Sequence, residues 1–334
     1  MRWRARVGPL AAIFILLSTQ LGFASSGAAL AAPCQLETWG ALDVHLRGRA
    51  PMIQGSLNGH AFEGLLDTGA FETTLFRGFA ERASLDVHQI RGAAIVGVGG
   101  KSAVYRTRAN HLELGSSMVA ENIDLDITWD SKTNANIDAV IGADLLFSHD
   151  LELALSSGKA RLFRPVGCGD SFLAYWDKQA SMVPMERVSS QDQRQMIIVQ
   201  VNGTDLRALI DSGASRSLID AKVAARIGIR DDAAEPADAG KLGGAGPRTV
   251  DYTVVAITQV TIGREEIRDT KIAMASIFRA AFEDIPAPTG TRIQKRPYDM
   301  VLGQDFLMSH RVLCSITQKR LYFSYIGGKV FAVD

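Results

Sequence analysis

The chain contains two copies of one pattern. Leu65-Leu66-Asp67-Thr68-Gly69-Ala70 returns 144 residues later as Leu209-Ile210-Asp211-Ser212-Gly213-Ala214. At that offset the correspondence runs without a gap for more than thirty residues. Met52-Ile53 falls on Met196-Ile197, Leu57-Asn58-Gly59 on Val201-Asn202-Gly203, and Ala80 and Arg82 on Ala224 and Arg226. A lone Asp-Thr-Gly reads as a turn, because Asp and Gly are favoured there for backbone reasons. Agreement of this extent reads instead as an internal duplication, which constrains the chain to two similarly folded units.

The alignment then slips. Val98-Gly99-Gly100 still matches Leu242-Gly243-Gly244 at 144, but Leu112-Glu113-Leu114-Gly115 matches Val260-Thr261-Ile262-Gly263 at 148. Ala139-Val140-Ile141-Gly142 matches Met300-Val301-Leu302-Gly303 at 161, so the second copy carries an insertion, placed at Phe278 to Pro297. Asn-Gly between apolar runs predicts a tight hairpin in each copy, whose second strand delivers the Asp. Short β-branched runs such as Thr253-Val254-Val255-Ala256-Ile257 read as strands. Helical pattern is confined to stretches such as Ala221 to Ile227 and those after the apolar-Gly segments. The predicted organisation is a leader over 1–32, a first lobe over 33–165, a linker over 166–193 and a second lobe over 194–334. Within the linker, Trp176 is expected to be a packing anchor between the lobes.

The leader reading rests on Arg2, Arg4 and Arg6, an apolar run from Leu10 to Leu17, and small residues at Ala29-Leu30-Ala31. This is the pattern of a secretory signal peptide, with an uncleaved membrane anchor as the runner-up, and it predicts an exported protein, periplasmic or secreted, with no stable membrane insertion once the leader is removed. Without those arginines 36 acids face 33 bases. No basic tract interleaved with aromatics is present, and nucleic acid is excluded as a partner. Export permits a disulfide, and Cys34 and Cys168 flank the two ends of the first lobe. Cys314, in an apolar run, reads as a small buried hydrophobe.

Apolar-apolar-Asp-Thr/Ser-Gly-Ala, a Gly-rich hairpin some thirty residues on, and an apolar-apolar-Gly segment before a short helix together resemble the retropepsin-like aspartic proteases. Here two such units are fused, over about Pro51 to Phe163 and Gln195 to Phe323. The resemblance implies an all-β fold of two β-barrel lobes related by a pseudo-twofold, with short helices. It implies an aspartic endopeptidase acting on a polypeptide substrate with Asp67 and Asp211 as the catalytic pair, no metal and no organic cofactor, in a monomer whose lobes pair within one chain. Thr68 and Ser212 are implied to bond to backbone of the opposite lobe, and Gly69 and Gly213 to leave room around the carboxylates. Val98, Gly99 and Gly100, with Leu242, Gly243 and Gly244, are implied to be flap tips over the substrate. The alternative is a peptide-binding or assembly module that keeps this fold without turnover.

Two departures bear on the chemistry. Ser215 fits the small or polar residue the family carries after Asp-Ser-Gly-Ala, whereas its counterpart is Phe71. Ala70 and Ala214 lack the hydroxyl that pepsin-like lobes often carry there, and a missing donor stabilises the ionised carboxylate less. The expectation is a mildly acidic activity optimum. Other motifs fail on inspection. Gly100-Lys101-Ser102 lacks the earlier Gly of a phosphate loop, Gly213-Ala214-Ser215-Arg216-Ser217 lacks the last Gly of a nucleophile elbow, and the six histidines show no metal-ligand spacing. His149 and His310, repeat equivalents, read as capping or packing residues.

Overall fold

The structure, a computed structural model, describes residues 33–115, 118–128, 137–230, 239–244, 246, 248–277 and 297–331. The leader, and the insertion except for Pro297, lie outside the described residues. The first copy runs through β1 (Gln35–Asp43), β2 (His45–Arg47), β3 (Ala50–Leu57), β4 (His60–Leu66), β5 (Thr74–Phe76) and α1 (Arg77–Arg82). It continues with β6 (His88–Gly97), β7 (Gly100–Leu114), β8 (Met118–Thr128), β9 (Ala139–Ile141), α2 (Ala143–Leu146), β10 (Asp150–Ala154) and β11 (Lys159–Val166). The second has β12 (Ser181–Arg187), β13 (Gln195–Val201), β14 (Thr204–Ile210), β15 (Leu218–Asp220), α3 (Ala221–Arg226), β16 (Gly240–Leu242) and β17 (Val250–Ile262). It ends with β18 (Glu265–Ala275), β19 (Met300–Leu302), α4 (Gln304–Leu307), β20 (His310–Ser315) and β21 (Arg320–Tyr325).

Each copy closes into a six-stranded barrel. In the first the order is β3-β4-β9-β5-β8-β7, closed by β3–β7; in the second it is β13-β14-β19-β15-β18-β17, closed by β13–β17. The fold is all-β, with short helices only, as the sequence pattern implied. The hairpins form where Asn-Gly predicted them. Asn58 and Gly59 have φ of 50° and 83°, and Asn202 and Gly203 have 47° and 80°. Two successive positive φ values match the right-handed twist of the flanking strands. The Asn58 side chain accepts from the Asn110 and His111 N–H groups, and Asn202 accepts from Gln259, so each turn is also tied to the strand that closes its barrel.

A sheet joins the barrels. Its order is β1-β11-β10-β20-β21-β12, with three strands from each copy and the seam at β10–β20, where Leu151 faces Cys314 and Leu153 faces Val312. Residues 166–193, read as a linker, include β12, which bonds to both β21 and β13. The polar stretch therefore ends inside the second copy. Seam residues are apolar and fully buried, among them Leu151, Leu153, Val312 and Cys314. Two buried carboxylates stand there: Asp150 accepts from the Ser315 hydroxyl and from the N–H and hydroxyl of Thr317, and Glu152 receives Arg161 at 2.9 Å, Arg311 at 2.6 Å and the Tyr175 hydroxyl. Trp176 stacks on Arg311 with its ring 4.7 Å away, the anchoring role expected of it. A buried carboxylate needs such pairing to be tolerated.

Cys34 and Cys168 form a disulfide, because β1 pairs antiparallel with β11 and brings their outer ends together. Cys314 is free and buried. Among the described residues no helix is long and apolar enough to cross a membrane.

Candidate active site

The two Asp motifs meet between the barrels. Asp67 leaves β4 and Asp211 leaves β14 at points where those strands pair in parallel with β9 and β19. The Asp67 and Asp211 N–H groups each bond, at 3.0 Å, to the last carbonyl of that neighbour, Ile141 and Leu302. The chain then turns sharply. One oxygen of the Asp67 carboxylate accepts the N–H groups of Gly69 at 2.9 Å and Ala70 at 3.0 Å. Asp211 accepts those of Gly213 and Ala214, both at 2.9 Å.

Glycine is required at the next position but one. A Cβ on Gly69 would overlap the Asp211 carboxylate, and one on Gly213 would overlap that of Asp67. Each carboxylate thus lies against the backbone of the opposite loop. Thr68 and Ser212 lock this crossing. The Thr68 hydroxyl donates to the Ile210 carbonyl at 2.9 Å and accepts from the Ser212 N–H at 2.9 Å. The Ser212 hydroxyl donates to Leu66 at 2.7 Å and accepts from Thr68 at 3.0 Å. Both side chains are fully buried, so these four bonds form without competition from water.

The two carboxyls lie side by side between the loops, close enough to act on one another's ionisation. Burial raises Asp67 well above the ordinary carboxylate range, and the Asp211 charge adds to this against the N–H groups of Gly69 and Ala70. Burial also raises Asp211, opposed by the Ala214 N–H, the Asp67 carboxyl, the Gly213 N–H and the Arg194 charge. One proton shared by two carboxyls is the state that follows. Phe71 is 43% exposed, so the bulky residue at that position does not plug the pair.

A second layer repeats around the first, and the sequence reading passed over it. Thr73 donates both its N–H and its hydroxyl to Asp144 at 2.8 Å, and the Gly142 N–H donates to the Thr73 hydroxyl at 3.0 Å. Ser217 does the same to Asp305 at 2.8 and 2.6 Å, and receives Gly303 at 3.0 Å. A Cβ on Gly142 or Gly303 would run into the backbone at Glu72–Thr73 or Ala214 and Arg216. The signal was available, since Thr73 and Ser217 lie at offset 144 and Asp144 and Asp305 at 161. The surroundings of Asp211 also hold groups with no counterpart: Gln304 donates to the Ser212 carbonyl where the first copy has Ala143, and Arg194 reaches the Gly69 carbonyl at 3.3 Å where the first copy has Ala50.

The two Gly-rich hairpins meet one another. The first turns at Val98 and Gly99 between β6 and β7. The Arg248 N–H, from the second hairpin, donates to the Gly99 carbonyl at 3.0 Å. A Cβ on Gly246 would overlap Gly99 and Gly100, and one on Gly244 would lie 3.3 Å from the Val98 Cβ. Val98 packs with Leu242, Val250 and Tyr252 against the apolar outer face of the second barrel. Gly243 lies between Leu242 and Gly244 in this tip. The structure thus joins the two Asp loops to one another and the two hairpin tips to one another.

The arrangement fits the comparison with known proteins. A family model described as aspartyl protease matches the chain twice, over residues 53–145 and 197–306. The two matches begin at repeat-equivalent residues, Ile53 and Ile197, and end on α2 and α4. No curated protein matches the chain. Since the matched segments span more than half of its length, the chain belongs to the aspartyl protease family, with one retropepsin-like unit in each of its two repeats.

Proposed function

We propose that the protein is an exported aspartic endopeptidase that hydrolyses peptide bonds with a water molecule activated between Asp67 and Asp211. The observation that carries this reading is the half-buried pair of adjacent carboxyls, each held by two N–H groups of its own loop and packed on the glycine of the other, with the two loops locked by Thr68 and Ser212. Such a pair holds an acid and a base side by side at one pH. The ionised carboxylate takes a proton from water as the water oxygen adds to the scissile carbonyl carbon, and the protonated partner gives its proton to the carbonyl oxygen. In the tetrahedral diol that results, one hydroxyl returns a proton to that partner while the first carboxyl protonates the leaving nitrogen. The C–N bond breaks and the pair is restored.

The flaps supply the second requirement. An extended substrate placed beneath them would add to the exposed backbone as a strand, with alternate side chains facing the two walls of the cleft. Export is supported by the leader pattern and by the Cys34–Cys168 disulfide, a bond that persists in oxidising compartments. The expected partner is a polypeptide, and the expected form is a monomer, since both halves of the pair come from one chain.

Digestion of a peptide library, read by mass spectrometry across pH, tests the proposal. The expected result is internal cleavage that a peptide analogue with a tetrahedral hydroxyl-bearing carbon at the scissile position suppresses. Folded protein that cleaves nothing at any pH, or cleavage indifferent to the analogue, would refute it.

A further inference from the structure

Two identical loops related by a twofold would share a proton evenly, and nothing would decide which carboxyl acts as base. Here the surroundings are not equal. Arg194, at the start of the second copy, has only 19% of its side chain exposed. Its Nε and Nη2 bind Asp192, with Nη2 at 2.6 Å, and its Nη1 donates to the Gly69 carbonyl at 3.3 Å. Its plane lies 5.9 Å from the centre of the Tyr298 ring. Gly69 borders both carboxyls, with its N–H on Asp67 and its Cα against Asp211; the β13–β14 register, in which Met196 faces Leu209, when continued places Arg194 on the Asp211 side. The repeat equivalent is Ala50. The nearest counterpart, Arg49, crosses the other way but reaches the loop two residues farther on, at the Ser215 carbonyl, 3.4 Å away.

We propose that Arg194 is a positioning residue that makes the pair unequal, keeping Asp211 as the ionised base and leaving the shared proton on Asp67. The inference rests on the hydrolytic reading above and goes further by assigning the two roles. The charged and titratable groups around the guanidinium are Asp192 and Tyr298 from its own lobe and the pair itself; the first lobe offers it the Gly69 carbonyl. The Tyr298 hydroxyl, pushed up to about 12 by burial, is a neutral phenol throughout the working range. Asp192 is 6% exposed and offsets part of the Arg194 charge while fixing its direction. The electrostatic balance agrees with the geometry: burial raises both carboxyls, and the Arg194 charge opposes this at Asp211.

The test is the pH profile of kcat/KM for peptide cleavage in the full chain. Base function requires an ionised carboxylate, so removing a neighbouring cation shifts the acid limb to higher pH. Arg194→Gln is expected to shift it up by roughly half to one pH unit, the low end of what a nearby cation does to a carboxyl, because Asp192 already screens the charge. Arg194→Lys keeps the charge and is expected to keep the limb. Asp192→Asn, which unmasks the guanidinium, is expected to move the limb the opposite way, to lower pH. A purely structural Arg194 would lower kcat without moving the limb, and that result in the Gln variant overturns the proposal. If the Gln variant does not fold, the proposal still falls when Asp192→Asn leaves the limb in place or raises it. Wild-type protein that cleaves no peptide refutes the hydrolytic reading itself, whereas a cleaving wild type with immobile limbs refutes only the role of Arg194.

Discussion

The two lobes match at the carboxyl pair, at its clasp and in the polar layer behind it, and differ at Arg194, at Gln304 and along the walls of the cleft. The Asp, Thr or Ser, Gly and Ala of each loop superpose in role, because each group contacts its counterpart's loop and a change in one would break both. Beyond that bonding the copies diverge. Asp305 is buried at 7% exposure, whereas its equivalent Asp144 is exposed. Position 71 carries an exposed Phe and position 215 a Ser, and Glu72 stands opposite Arg216, whose guanidinium lies 4.6 Å from the Tyr252 ring centre. The repeated bonding is thus kept at the carboxyl pair, its clasp and the layer behind them, while the walls of the cleft are free to become unlike. An unlike pair of walls suits an asymmetric substrate, since a peptide has a direction.

The first way to break this comparison is at its symmetric centre. Asp67→Asn and Asp211→Asn are each expected to lower kcat/KM by about a thousandfold or more, because acid–base function by the pair is lost as a unit. Peptide cleavage measures this. The same substitution is expected to help folding. Asp67 is raised in the folded state, so its contribution to stability is full below the unfolded carboxylate value near 4 and is lost as pH rises through the folded value. Asp67→Asn should therefore raise stability by roughly 1 kcal/mol or more at pH 7 and by little at acid pH, as thermal melts at the two pH values would show.

Next is the clasp. Thr68→Val and Ser212→Ala should each destabilise by roughly 2–3 kcal/mol, since each leaves buried backbone donors and acceptors of the opposite lobe unpaired. Near-equal losses in urea titrations would support the symmetry, and a large inequality would break it. The outer layer should behave unequally. Ser217→Ala strands the buried Asp305 carboxylate and is expected to cost about 1–3 kcal/mol, while Thr73→Val leaves Asp144 to water and costs about 1 kcal/mol or less. The smallest effect is at the wall. Phe71→Ser, which matches the first lobe to the second, should change stability by less than about 0.5 kcal/mol because the ring is exposed. It should change KM more than kcat.

Much of this was legible in the sequence because duplication writes each essential residue twice. The barrels, both Asn-Gly turns, the Asp loops and the flap tips could all be placed by reading one copy against the other. The same comparison would also have exposed Thr73 with Asp144 and Ser217 with Asp305, had the polar positions been aligned as carefully as the apolar ones. Other features had no second copy to reveal them. Arg194, Asp192, Tyr298 and Gln304 meet the site only through the tertiary fold, and their equivalents include an Ala50 and an Ala143 that carry no chemistry. Strand β12 was hard to see for a different reason: it is short, Pro184 interrupts it, and its exposed positions alternate with buried ones, although it pairs with both β13 and β21.

The central claim is that the two repeats build one pair of carboxyls sharing a single proton. The pH dependence of kcat/KM for peptide cleavage by the wild-type chain tests it most directly. A shared proton predicts a bell-shaped profile, with an acid limb where the pair gains its second proton and an alkaline limb where it loses its last. The maximum should be mildly acidic, because burial raises both groups while only N–H donors and Arg194 favour ionisation. Activity that stays level from acid to alkaline pH, or that peaks below about pH 3 and so under the ordinary carboxylate value, would contradict it.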